Sequence, residues 1–222
     1  MELKNLYIFF IIIFPIMSVA QINDAGAWLS LNAEKKITPD FSITLSEEAR
    51  LNENFSEPGS FFTDAGVSYR INKLVKLSAN YRFIQKRKLN DSYNLRHRFY
   101  FDISLRHKIK PLVFMFRTRL QQQQNEIYEA DDDLCFYYYS RNKFTLKADL
   151  DKNYVPYFYI ETYTPLNSPI QVFLDKVRYC AGFEYKLNRR HSFDLFYLIQ
   201  KEYNEVNPVT DFIMGVGYNL VF

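Results

Sequence analysis

The sequence is poor in the residues from which most metal sites and disulfide scaffolds are built. It contains two cysteines, three histidines and six glycines in 222 residues. The cysteines and histidines are scattered without the spacing of a zinc or other metal site, so we expect no metal and no other cofactor. Beyond its first residues the chain has no run of roughly 20 apolar residues, the length that a membrane-spanning helix requires. A helical membrane protein is therefore excluded.

Aromatic residues are abundant instead. Eighteen tyrosines and 21 phenylalanines make 18% of the chain aromatic, although its mean hydropathy is negative at −0.28. A transmembrane β-barrel has this composition, because half of each strand faces lipid, half faces a polar lumen, and aromatic girdles lie at both interfaces. The net charge of +3 decides little.

The N-terminus has the features of an export signal. Lys4 precedes an apolar run from Leu6 to Phe14, and Ser18-Val19-Ala20 has the small residues of a signal-peptidase site. We therefore predict a cleavable signal peptide over residues 1–20 and a single mature domain over residues 21–222.

The end of the chain gives the clearest structural signal. From Phe212 to Phe222 every even position is apolar or aromatic, as in a strand with one lipid-facing side. Similar alternation predicts strands at 26–36, 41–51, 61–71, 76–86, 94–107, 111–121, 134–150, 157–164, 174–187, 192–201 and 211–222. The links alternate between short and long, as expected for short periplasmic turns and long outer loops.

The number of these runs conflicts with the usual rule for barrels. Eleven runs are odd, whereas single-chain bacterial barrels have even strand numbers. We therefore expect that the run at 26–36 is not a regular wall strand, or that another strand is hidden or miscounted. The predicted fold class is all-β, a single antiparallel transmembrane β-barrel of about 10 to 12 strands.

Sorting each run by alternate positions separates apolar from charged residues. One face of most runs is apolar, and the other carries fifteen basic and seven acidic residues. The outer face of a soluble sandwich would be mixed and its inner face apolar, so the pattern favours a barrel wall.

Several short motifs are spread over the mature chain. They are Trp28, Glu48-Ala49-Arg50, Tyr81-Arg82, Arg96-His97-Arg98, Arg141-Asn142-Lys143, Pro156 followed by Glu161, and the terminal Phe222. On these motifs the chain resembles a family of Gram-negative outer-membrane barrels grouped only as a domain of unknown function. The resemblance implies the fold and a bacterial outer-membrane location, and it implies no activity. The alternating last strand, with Tyr218, Leu220 and Phe222, also resembles the signal that barrel-assembly machinery recognises.

The charged face predicts a site inside the barrel. The candidate lumen residues are Glu48, Arg50, Arg82, Arg96, Arg98, Arg117, Arg119, Arg141, Lys143, Glu161, Arg178 and Glu184. In a narrow barrel, long charged side chains can fill the interior as a hydrogen-bonded network, which favours a structural or interaction protein. The alternative is a small-solute channel that prefers anions, because charge of one sign concentrates counter-ions in a narrow tube.

Other candidate sites are weaker. Asp131, Asp132 and Asp133 lie in a polar segment at 121–133, but their spacing matches no calcium loop, so we expect a solvated outer loop. Cys135 and Cys180 lie on strands separated by a third strand, about 10 Å apart from strand spacing, which is too far for a disulfide. We expect free thiols.

An outer-membrane lipid hydrolase is a third possibility, and it requires a nucleophile and a histidine base on the barrel wall. Only His97 has the outward position and the rim location, and its outward neighbours include Thr118 but no serine. His107 and His191 lie beside turns, apart from His97. We therefore predict that the protein is not an enzyme. The expected partners are outer-membrane lipid and the barrel-assembly machinery, with no nucleic acid.

Overall fold

The fold is a closed barrel of eleven β-strands. A computed structural model describes residues 22–88, 90–125, 135–150, 152–168, 173–205 and 207–222. The strands are β1 (Ile22–Lys36), β2 (Phe41–Asn52), β3 (Glu57–Arg70), β4 (Val75–Arg87), β5 (Tyr93–Ile109), β6 (Leu112–Asn125), β7 (Cys135–Ala148), β8 (Tyr154–Pro165), β9 (Lys176–Lys186), β10 (His191–Glu202) and β11 (Val209–Val221). The predicted signal peptide lies outside the described residues. Within them, no helix has the length and apolarity needed to cross a membrane.

The predicted all-β barrel is confirmed, and every predicted run corresponds to one strand. Four boundaries differ by three or four residues: β1 begins at Ile22, β8 begins at Tyr154, and the other two lie in β3 and β6. β3 begins at Glu57, so the link after β2 is shorter than predicted. β6 continues to Asn125 and includes the four glutamines that we had assigned to a loop. Four identical residues carry no alternation, so the sequence pattern could not assign them to a wall.

The links 37–40, 71–74, 110–111, 149–153 and 187–190 lie at one end of the barrel, which we call the turn end, and the remaining links define the loop end. The predicted alternation between short and long links holds only in part, because the loop-end links 53–56 and 88–92 are as short as links of the turn end. Two of the turn-end links are closed by an asparagine side chain. Asn72 accepts hydrogen bonds from the backbone N–H groups of Leu74 and Val75, both at 2.8 Å. Asn188 accepts them from Arg190 and His191 at 2.8 and 2.9 Å.

The barrel closes through a parallel pair. β1 pairs with β11 in parallel over thirteen positions, from Ile22 opposite Val209 to Glu34 opposite Val221. Successive hairpins reverse the chain direction, so with eleven strands the first and last must run the same way. The expectation of an even count, and of an irregular run at 26–36, was therefore wrong. The other ten neighbouring pairs are antiparallel, as predicted.

This parallel seam is held by side chains as well as by its backbone ladder. The Asn32 amide donates to Asn219 Oδ1 at 2.9 Å across it. At the turn end, the backbone N–H of Phe222 donates to Glu34 at 2.9 Å, and that of Lys36 donates to Phe222 at 3.2 Å. Parallel strand pairs are slightly less stable per residue than antiparallel pairs, so these additional contacts help to stabilise the seam.

The two faces of the wall differ as the alternation predicted. On β5, Phe99, Phe101 and Ile103 are exposed on the outside, whereas Tyr100 and Asp102 are buried inside. The large hydrophobic side chains exposed on nearly every strand form an apolar outer surface, which suits contact with lipid. Glu47 departs from the pattern, since it is exposed on the outer face and accepts a hydrogen bond from Thr63 at 2.9 Å.

Candidate functional site: the charged lumen

Among the described residues, the inward side chains line two sizeable cavities in the barrel. The larger has a volume of about 530 Å³ and extends to the loop end, where Asp24, Lys86 and Glu202 contribute to its lining. The smaller, of about 320 Å³, lies at the turn end beside Asn72 and Lys186. Among the described residues, none lines both cavities. We call them the loop-end cavity and the turn-end cavity.

A layer of buried and half-buried side chains separates the two cavities, and we call it the septum. It consists of Asp64, Tyr100, Asp102, Tyr157, Cys180, Phe196 and Leu198. On β5, for example, Tyr100 and Asp102 lie between Arg98, which lines the loop-end cavity, and Ser104, which lines the turn-end cavity.

One half of the septum is a charged network. Arg119 forks onto Asp102, with its Nε and Nη2 donating to the two carboxylate oxygens at 2.6 and 2.7 Å. Asp64 accepts from Arg82 and, at 2.6 Å, from the Tyr100 hydroxyl. The Arg119 guanidinium also lies 3.7 Å from the centre of the Tyr100 ring. Paired in this way, the buried aspartates fix the arginines across the lumen, because such charge-assisted hydrogen bonds are strong and directional.

The other half of the septum is apolar. Cys180, Leu198 and Ile213 form a buried cluster against which Trp28, Tyr157, Tyr159 and Phe196 pack. Trp28, which the alternating pattern left without an assigned face, lies inside the barrel with its ring edge-on to Phe196 across the seam. Gly215 lies beneath Phe196, where a Cβ atom would overlap the ring. This half therefore closes the lumen by packing rather than by charge.

Glu161 is the centre of the predicted network. It is 2% exposed and forms ion pairs with three arginines from three different strands. Arg141 donates to it at 3.0 Å, Arg117 donates to the same oxygen, and Arg178 lies 3.7 Å from the other oxygen. Among the described residues, Glu161 is the only carboxylate within 4.0 Å of these three guanidinium groups.

A second group lies along β2. Arg50 donates to Glu48 at 2.5 Å, and its guanidinium stacks 3.7 Å from the Trp28 ring centre and 4.4 Å from that of Phe62. Arg82 lies 4.0 Å from Glu48 and links this pair to the septum. The tryptophan therefore contributes a cation–π surface for arginines.

Three other basic residues in the loop-end cavity contact an amide group or an aromatic ring. Arg98 donates to Gln123, with its Nε at 3.0 Å, and Arg96 donates to Asn94 at 3.3 Å. The ammonium of Lys143 lies 3.6 Å from the centre of the Tyr159 ring. Sequence reasoning missed Gln123 because it lay in the segment that we had assigned to a loop. Altogether eleven basic and six acidic residues line this cavity.

Glu184 is the one predicted lumen residue outside this arrangement. It lines the turn-end cavity and pairs with Lys147 at 3.4 Å. It lies six positions beyond Arg178 on β9, which corresponds to about 20 Å along a strand. Alternation along β9 gave the inward face of Glu184, but it carries no information about the position of a residue along the barrel axis.

At the loop end, Asp175 precedes β9 and lines the larger cavity. Burial raises the pKa of this carboxyl, and the nearby Glu205 and Glu202 act in the same direction. Asp131, Asp132 and Asp133 lie outside the described residues. Within those residues, no group of three potential ligands is placed to hold a metal.

The cysteines are far apart along the wall. Cys180 is a free, buried thiol whose backbone is level with Tyr159 on β8, and Tyr159 is level with Thr145 on β7. Thr145 is ten positions from Cys135, about 33 Å along the strand. The side chain of Cys135 lies outside the described residues.

On the outer face, His97 is paired with a tyrosine. Its Nδ1 lies 2.7 Å from the Tyr81 hydroxyl, and the two rings stack. Thr118, the outward residue considered as a nucleophile, donates to Asn142 at 2.9 Å instead. The register pairs His97 with Gln124, six positions from Thr118, so the two groups are about 20 Å apart.

Of the predicted assembly-signal residues, Tyr218 and Leu220 lie on the outer face of β11, and Phe222 directly follows the strand. The Tyr218 hydroxyl is 2.5 Å from Nδ1 of His191. Leu220 is half-buried, and Phe222 is exposed at the turn end.

A closed barrel with an apolar exterior and a charged interior defines the class of outer-membrane-type β-barrels. The structure is similar to the crystal structure of the beta domain of the Bordetella autotransporter BrkA, with a TM-score of 0.52 and 10% identity over 84% of this chain and 86% of that chain. At this identity the likeness shows the fold alone. A family model described as a protein of unknown function (DUF2490) matches residues 25–210, so the chain belongs to that family. The family resemblance inferred from the short motifs is confirmed. The comparison with curated proteins gives no match.

Proposed function

We propose that this protein is an outer-membrane barrel whose lumen is closed by side chains, and that it is a structural or interaction barrel rather than an open channel. The septum is the observation that carries this proposal. Asp102 and Leu198 within it are 5% and 0% exposed, and Asp102 is held by both nitrogens of the Arg119 fork. Opening a continuous pore would require breaking this charge-assisted fork and exposing the apolar half.

The outer-membrane location is supported by the fold and by the apolar exterior. Exposed aromatic and aliphatic residues on most strands would be costly in water but are favourable against acyl chains. The test is fractionation of cells that express the full chain, followed by electrophoresis with and without boiling. We expect recovery with the outer membrane and migration that changes on heating. Recovery of folded protein in the soluble periplasm would contradict the proposal.

Conductance tests the closed lumen directly. Purified protein in planar bilayers is expected to give no stable current steps. A double variant, Asp102→Ser with Arg119→Ser, removes the fork and is expected to introduce conductance. The matched control is Lys147→Ser with Glu184→Ser, which removes an ion pair of the turn-end cavity and leaves the septum intact. Stable steps from the unmodified protein would overturn the closed-lumen proposal.

The second candidate is a small-solute channel that prefers anions. The excess of basic over acidic residues in the loop-end cavity favours it, since a cationic lumen attracts anions. A reversal potential indicating anion preference, measured in the bilayers above, would support this candidate.

We propose no catalytic role. The separation of His97 from Thr118 and the hydrogen bonds that each makes with a neighbouring side chain support this view. Lipid and the barrel-assembly machinery remain the partners that we propose, from the apolar exterior and the alternating last strand.

A further inference from the structure

The loop-end cavity is lined by more basic than acidic side chains, eleven against six among the described residues. Among the described residues, Lys86, Arg96, Arg98 and Lys143 line it without a carboxylate within 4.0 Å. Arg98 also lies close enough to Arg82 and Arg141 to be repelled by both. Bringing like charges together in a barrel interior is costly unless counter-charge is present.

The centre of the same cavity has too few acceptors. Arg117, Arg141 and Arg178 share the single carboxylate of Glu161. The Nε–H groups of Arg117 and Arg141 are buried without a hydrogen-bond partner among the described residues. Buried donors in folded proteins are nearly always paired, so two such groups beside one cavity indicate that an acceptor belongs there.

The cavity has the size and the position of a binding site. Its volume of about 530 Å³ lies within the range typical of pockets for small molecules. The septum closes it below, and Lys176, at the start of β9, lines it near the loop end. A solute entering from the loop end would therefore stop above the septum, among the arginines.

We propose that the loop-end cavity binds a small solute that carries a phosphate group, either inorganic phosphate or a phosphate monoester. Arg98 is its principal ligand, with Arg141 near it, and Arg117 lines the same cavity. A phosphate dianion offers several strong acceptor oxygens and two negative charges, and guanidinium forks match its geometry. A single carboxylate would offer fewer acceptors and less charge to the same set of donors. This inference rests on the proposed closed barrel, because an open pore would not retain the solute.

The experiment is calorimetric titration of the full chain in detergent, at low ionic strength so that charge is not screened. The probes are inorganic phosphate and glucose 6-phosphate, and citrate is the carboxylate comparison. The test variant is Arg98→Gln, which removes a charge that has no ion-pair partner among the described residues and so should not unfold the barrel. The matched control is Arg106→Gln, which changes the same residue type on the inner face of the same strand, in the turn-end cavity.

Binding of either phosphate probe, weakened about tenfold or more by Arg98→Gln and unchanged by Arg106→Gln, would support the proposal; tenfold corresponds roughly to one charge-assisted hydrogen bond. Tighter binding of glucose 6-phosphate than of inorganic phosphate would identify the monoester as the source, and the reverse order would identify the free ion. Absence of binding by both probes would overturn the proposal. Equal losses in the two variants, or citrate binding as tight as that of the phosphate probes, would also overturn it.

A further variant separates a binding role from a structural one. Glu161→Gln removes the carboxylate that competes with the ligand for Arg117 and Arg141, so phosphate should bind this variant more tightly. Weaker binding to Glu161→Gln would contradict the site. Conductance of the unmodified protein would refute the closed barrel and with it this inference, whereas absence of phosphate binding to a protein that does not conduct would refute the binding site alone.

Discussion

The most informative perturbation for the lumen is Glu161→Gln, because one buried carboxylate balances three arginines. The substitution keeps the shape of the side chain and removes its charge. Arg178 retains a hydrogen bond to Gln200 at 2.8 Å, and Arg141 retains one to Gln121 at 3.2 Å. Arg117 has no such amide partner among the described residues. Removal of the Glu161 charge should therefore destabilise Arg117 more than the other two arginines.

The expected cost follows from the burial of Glu161, which is 2% exposed. Removing one partner of a buried ion pair typically costs about 3 to 5 kcal/mol, because the remaining charge is left uncompensated. In a domain of this length each kcal/mol lowers the unfolding temperature by about 2 to 4 °C, so the expected fall is about 6 to 20 °C.

The measurement is the temperature at which the compact, fast-migrating form disappears on electrophoresis of samples heated in detergent. The matched control is Glu184→Gln, the same substitution in the same barrel. Glu184 has a 27% exposed side chain and pairs with one lysine at 3.4 Å. Such partly exposed pairs contribute about 0 to 1 kcal/mol, so the control should shift the midpoint by a few degrees at most.

Equal shifts in the two variants would refute the idea that Glu161 organises the lumen. So would an unchanged midpoint for Glu161→Gln, since it would mean that the three arginines are compensated by water or by one another. Added phosphate should recover more of the midpoint in Glu161→Gln than in Glu184→Gln if the loop-end cavity binds this anion.

Three further predictions concern the seam, the last strand and the buried thiol. Gly215→Ala should lower the free energy of unfolding by about 1 to 3 kcal/mol through overlap with Phe196, and Phe196→Leu added to it should restore stability; equal unfolding midpoints for Gly215→Ala and Gly217→Ala would argue against this packing. Phe222→Ala should lower the yield of assembled barrel in outer-membrane fractions. The control Leu187→Ala, which changes an exposed leucine in a turn at the same end, should not, and similar yields for the two variants would contradict the assembly signal in the last strand. In a Cys135→Ser variant, the thiol of Cys180, which is 1% exposed, should react with a maleimide only after the barrel has been unfolded. Rapid labelling of the folded barrel would contradict the closed septum.

The sequence by itself determined the strands and their faces. Alternation with a period of two is a local property, so the runs that contain Phe99 and Phe101, or Met214 and Val216, could be assigned to an outer face without knowledge of their neighbours. The inward direction of Arg141 and Glu161 followed from the same rule. Where the local signal was absent, as in the run of four glutamines at 121–124, the strand end was missed.

Only the tertiary structure decided how the barrel closes. Strand alternation is the same whether the neighbouring strand is parallel or antiparallel, so the eleven runs did not by themselves show that β1 joins the wall beside β11. It also could not give the register that brings Arg117 onto Glu161 from 44 positions away, or the height that separates Glu184 from that cluster. The face on which a side chain lies is encoded one residue at a time. Its height along the barrel axis and its contact partners depend on the stagger of all eleven strands around the closed sheet. The septum and the two cavities arise from that stagger.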